Sequence, residues 1–214
     1  MSVLDKLAFA LGERSEVPNK ALAQQIVAKN DKAAVAELAE NLNNKNKAVQ
    51  ADCIKTLYEV GALKPSLISG YAKQFITLLD SKNNRMQWGA MTALSSIVAE
   101  APKAIYNTLP KIVDVADKGS VITKDHCAKI LTALCGIKQY TAEAFSLLSE
   151  QILNAPVNQL PTYAENALPI VPKAEQAAFA EMLSKRLKDE MTDTKRRRLE
   201  KVISKLSAQA KSSH

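Results

Sequence analysis

The chain has 214 residues, 47% of them hydrophobic and 24% charged, enough to bury one core or one short repeat array. Only 5% are aromatic and six are glycine, while Ala, Leu, Lys, Gln and Glu abound, which argues against a β-sandwich or barrel and for helices. The formal charge is +7, and the residues after 172 hold eleven Lys/Arg against six Asp/Glu, so the basic excess gathers at the C-terminal end.

Residues 1–12 contain a short apolar run broken by Asp5 and Lys6, unlike a signal peptide. No stretch approaches the ~18 apolar residues of a membrane span. The chain therefore reads as soluble and cytoplasmic, with no membrane contact. Val3–Leu11 and Asn19–Lys29 are expected to form a capping helix pair within residues 1–32.

From residue 33 a repeat of about 37 residues takes over. Val49–Val60 aligns with Met86–Ile97, then with Thr123–Leu134 and Leu160–Val171. The aligned columns are Cys53, Ala90, Cys127, Ala164; Leu57, Leu94, Leu131, Leu168; and Val60, Ile97, Leu134, Val171, with a looser one of Val49, Met86, Thr123, Leu160. These positions share one face of an α-helix. A preceding helix keeps the same offset, with columns Val35, Ala72, Leu109; Leu38, Phe75, Ile112; and Leu42, Leu79, Ala116. A helix pair with single apolar stripes cannot bury them alone, so neighbouring pairs must stack.

Asn41–Lys47, Asp80–Asn84 and Asp117–Ser120 read as turns within the pairs. Gly61–Ser69 and Glu100–Lys103 punctuate between pairs. Pro161 opens a short helix that Pro169 should end near Leu168. After the regular repeats of residues 33–172 comes a basic pair over 173–208, Ala174–Lys188 and Thr194–Ala208, in which Leu199, Ile203 and Leu206 continue the columns. A frayed tail, 209–214, includes His214. The expectation is one all-α domain over 1–214, of five to six stacked helix pairs.

This periodicity resembles the HEAT and armadillo α-solenoids over about residues 33–206. HEAT repeats often carry a Pro in the first helix, which Pro110 matches loosely, and an Asp/Arg pair that has no column here. The resemblance implies a right-handed α-α superhelix and a binding scaffold with an extended concave surface. The outward ridge of each second helix would line that groove. It supplies Lys55, then Arg85, Trp88 and Thr92, then Asp125, His126 and Lys129, then Tyr163 and Asn166. An outward Trp flanked by cations and a Tyr suits recognition. Alternatively Trp88 folds over its neighbouring helix, with Gly89 permitting the approach.

Other candidates are weaker. His126 has no nucleophile in register, and Asp125 beside it points elsewhere on a helix. Cys53 and Cys127 read as core and Cys135 as inert. Without CxxC, and with His126 and His214 far apart, no metal site is expected, and no motif implies a cofactor. Lys195, Arg197, Arg198, Lys201 and Lys205 could contact phosphate. A solvated terminal cap is the preferred account of them. The leading functional expectation is a non-catalytic scaffold that holds a protein or peptide segment, with nucleic-acid binding the alternative. HEAT-like DNA glycosylases use groove tryptophans, an Asp and an Arg, here Trp88, Asp125 and Arg85. The position one turn after the Trp is Thr92 rather than Asp, and a second Trp is missing, so that reading ranks last. Oligomeric state is left open.

Overall fold

Short polar side chains start some of the helices. In the computed structural model, which describes residues 2–211, Asp31, Asn46 and Asn83 each accept a hydrogen bond from a backbone N–H two or three residues on. Such caps satisfy donors that the first helical turn leaves orphaned. The helices are α1 Val17–Lys29, α2 Lys32–Glu40, α3 Lys47–Leu63, α4 Ala72–Leu78, α5 Asn84–Ser96, α6 Pro102–Tyr106, α7 Leu109–Lys118, α8 Val121–Cys135, α9 Thr141–Leu153, α10 Leu160–Ala167, α11 Gln176–Arg186 and α12 Asp193–Lys211. The described residues contain no strand. His214 lies outside them, while α12 runs three residues into the expected tail.

The chain divides into two compact units, residues 1–127 and 128–214. In the first unit the column positions are core. Val35, Leu38, Leu42, Phe75, Leu79, Leu109, Ile112 and Ala116 are buried on the first helices. Cys53, Leu57, Val60, Ala90, Leu94, Ile97 and Cys127 are wholly buried on the second. The spacing makes α3 pack on α5. A Cβ on Gly89 would lie 2.7 Å from Ile54 Cγ1, so only a glycine permits this approach without a shift.

A polar column accompanies the apolar ones. Gln50, Gln87 and Lys124 donate to the carbonyls of Asn44, Leu79 and Asp117, tying each second helix to the turn before it.

In the second unit Leu131, Leu134, Ala164 and Val171 are buried. Here the strict period slips. In α9 the buried residues are Ala144, Phe145, Leu148 and Ile152, one position short of a 37-residue step from Leu109, Ile112 and Ala116. Leu168 is half-buried, because the α-helix stops at Ala167 and passes into a 3-10 turn, Leu168–Ile170, around Pro169. In α12 the third core residue is Val202, with Ile203 half-buried. Positions 199, 202 and 206 share a face as narrow as 199, 203 and 206 do, so packing rather than helical period selects Val202.

The start of the chain departs most from expectation. Val3–Lys6 is a 3-10 helix, and turns follow to Gly12, whose φ of 69° favours glycine. The segment is held by side chains. Ser2 Oγ and the Val3 N–H donate to Glu37, and the Ala8 N–H donates to the buried Asn19. The Phe9 N–H donates to Asp52 at 2.7 Å. Asn30 ends α1 in the left-handed conformation that asparagine tolerates, its N–H directed to the carbonyls of Ile26 and Val27.

Candidate binding site

The ridge residues of α3 and α5 meet in one cleft of about 190 Å³ in the first unit. Its apolar floor is Ala48, Ala51, Ile54, Tyr58 and Trp88, and Phe9, Arg14 and Glu16 of the N-terminal segment close one side. Trp88 is half-buried. Its ring tilts against Tyr58, with centroids 5.9 Å apart and planes at 54°, a favoured aromatic geometry. Arg85 is exposed at the rim. Phe9 leaves half its surface in solvent (50%).

Lys55 lies inward. It is buried, ion-paired to Glu16 and Glu59 at 2.8 Å each, and stands 4.7 Å from the Tyr58 ring centroid. Burial opposes its charge, but the hydrogen bonds to the two carboxylates outweigh that and leave its pKa raised. The hydrogen bond from Lys55 in turn lowers the pKa of Glu16 below its ordinary 4.5. A lowered carboxylate pKa stabilises the fold above the unfolded value, and that contribution is lost as pH falls through the folded value. Urea unfolding followed from pH 7 to pH 3 should therefore show the native chain converging on Glu16→Gln in acid. Parallel pH profiles would remove the bridge from the stability of this face.

His126 sits between two hydroxyls of α5. Its Nε2 is 3.0 Å from Thr92 Oγ1 and its Nδ1 is 2.8 Å from Ser95 Oγ. Sequence reading did not foresee these two partners. Both hydroxyls also lie within hydrogen-bond distance of carbonyls of their own helix, Thr92 of Trp88 and Ser95 of Thr92, and a neutral ring donates to one hydroxyl and accepts from the other. The ring is thus held at both nitrogens, which fixes the His126 side chain beside α5. Asp125 is half-buried beside it.

The remaining ridge residues fall in the second unit. Tyr163 is buried on α10, whereas Lys129 and Asn166 are exposed. In the basic helix Arg197, Lys201 and Lys205 are exposed. Lys195 donates to Asn158, and Arg198 forms a two-pronged bond to Glu165. That bond lowers the Glu165 pKa and raises that of Arg198. All three cysteines are free and buried. Burial pushes the thiols of Cys53 and Cys127 up to about 12 and that of Cys135 to about 11, far from thiolate chemistry at neutral pH.

Sequence reading missed Tyr58, Glu16 and Phe9. Tyr58 has a signal, one residue after core Leu57 and one helical turn after Lys55. Glu16 and Phe9 have none, because they reach the cleft through a segment outside the repeat.

Stacked helix pairs with one apolar stripe per helix define a HEAT-like helical-repeat fold. Solved structures bear this out. The chain is similar to two engineered proteins, with TM-scores of 0.64 and identities of 18% and 17%, covering 98% and 99% of this chain and 98% and 100% of theirs. It is also similar to the archaeal HEAT-like repeats protein of Thermococcus onnurineus NA1, with a TM-score of 0.50 and 14% identity over 92% of this chain and 98% of that one. At these identities the likeness establishes the fold. No family model and no curated protein matches the chain. No helix among the described residues is long and apolar enough to cross a membrane.

Proposed function

We propose that this protein is a non-catalytic interaction scaffold that holds a peptide or protein segment in the cleft of α3 and α5. The observation that carries the reading is Trp88, half-buried on Tyr58 beside exposed Arg85 at the mouth of that cleft. A rigid aromatic anchor with an arginine at its edge is the combination that dominates binding energy in protein interfaces. Three buried, free thiols suit work in the reducing cytoplasm. A glycosylase-like reading has less support. Thr92, where that chemistry would want an Asp, spends its hydroxyl on the Trp88 carbonyl and on His126.

The test uses peptides selected from a random displayed library against the native protein. Trp88→Ala should weaken their binding about 30-fold or more, since anchor tryptophans contribute about 2 kcal/mol or above. Circular dichroism should show unchanged helicity. Equal affinity for native and variant would place the site elsewhere.

A further inference from the structure

We propose that the exposed face of α12 binds the phosphate backbone of nucleic acid without regard to base sequence, through Arg197, Lys201 and Lys205. This site belongs to the second unit and does not rest on the cleft of α3 and α5. The helix carries seven Lys/Arg against two acidic residues, Asp193 and Glu200. Leu199, Val202 and Leu206 are its buried side. Residues 197, 201 and 205 follow one another at single-turn intervals on the face turned away from that side, and all three are exposed.

The neighbouring cations are engaged within the chain. Lys195 donates to Asn158, and Arg196 donates to the carbonyls of Leu187 and Asp189. Arg198 reaches Glu165 through Nε at 2.8 Å and Nη2 at 2.6 Å, and Thr162 Oγ1 at 2.9 Å. Arg198, Lys201 and Lys205 line a cleft of about 250 Å³ between α10 and α12, with Glu165 its one carboxylate. Arg198 takes both oxygens of Glu165. Among the described residues no hydrogen bond or ion pair ties down Arg197, Lys201 or Lys205.

Geometry and chemistry then select the ligand. Eight residues of helix rise about 12 Å. One nucleic-acid strand advances about 3.4 Å per nucleotide, so the row spans three to four phosphates. The exposed face around the row offers Glu200, Ser204, Ala208 and Gln209, none of them a bulky apolar anchor. A peptide partner needs such an anchor, whereas a phosphate backbone needs only spaced cations.

The experiment is fluorescence anisotropy of a short labelled DNA duplex with the full chain over a salt series. With three contacts the logarithm of the association constant should fall against that of salt with a slope of about −2.7, an affinity loss of about 40-fold between 50 and 200 mM. The slope should approach zero in Arg197→Gln/Lys201→Gln/Lys205→Gln. It should persist in Lys201→Arg/Lys205→Arg, which separates lost charge from altered folding. An unchanged slope in the glutamine variant would overturn the proposal. So would equal competition by polyglutamate, which would make the face a general acceptor of acidic chains.

Discussion

Leu94→Ala is expected to lower the stability of the N-terminal unit by about 3 kcal/mol, within the range for wholly buried leucines. Leu94 has no exposed surface and sits at the middle of the column shared with Leu57 and Leu131. A methyl group in its place leaves a cavity that stacked helices on both sides cannot collapse to fill. Leu168 occupies the same column one repeat beyond Leu131 and is half-buried. Leu168→Ala should therefore cost less than about 1.5 kcal/mol, half of the full effect. Urea midpoints give the comparison, from Trp88 emission for the first variant and from circular dichroism for the second. Equal costs at the two positions would mean that the column does not report packing.

Arg186→Ala should destabilise the C-terminal unit by about 2 kcal/mol, the scale for losing several charge-assisted hydrogen bonds to partly buried acceptors. The Arg186 guanidinium donates to the carbonyls of Ile152, Leu153 and Ala155, at the end of α9, and its Nε is 2.6 Å from Asp189. Its side chain is only 14% exposed. These carbonyls lie at a helix terminus, where Ile152 also accepts from the Ala155 N–H and the Leu153 and Ala155 carbonyls are met by Arg186. Arg186→Lys should restore little, since a lysine cannot span three acceptors and a carboxylate from one planar group. Amide exchange in the last turn of α9 should quicken in both variants. A loss below about 0.5 kcal/mol, typical of plain surface substitutions, would reduce Arg186 to an exposed charge.

The candidate cleft was legible in part. Arg85 and Trp88 lie where a helical ridge opposite the core columns should lie, because alternation around a helix follows from its period alone. Lys55 sits on the same ridge yet is covered, since the segment around Glu16 folds over α3 and ion-pairs it. The ridge assigns a direction to a side chain and is silent on what else comes to lie there. His126 shows the same limit. Its register placed it outward, and the Thr92 and Ser95 hydroxyls of a separate helix hold it at both nitrogens.

By itself, the sequence determined the helical class, several of the turns and prolines that bound the helices, and the column residues that form part of the core of the first unit. Period, caps and prolines act over a few residues, so their consequences are local and can be counted along the chain. Only the tertiary structure decided the path of residues 2–16, the one-residue slip in α9, the Arg186 clamp, and which cations of α12 stay unengaged. Each of these depends on a contact between residues some thirty positions apart or on a packing choice among several apolar candidates. Such outcomes are settled by which polar groups must find partners once the helices have stacked.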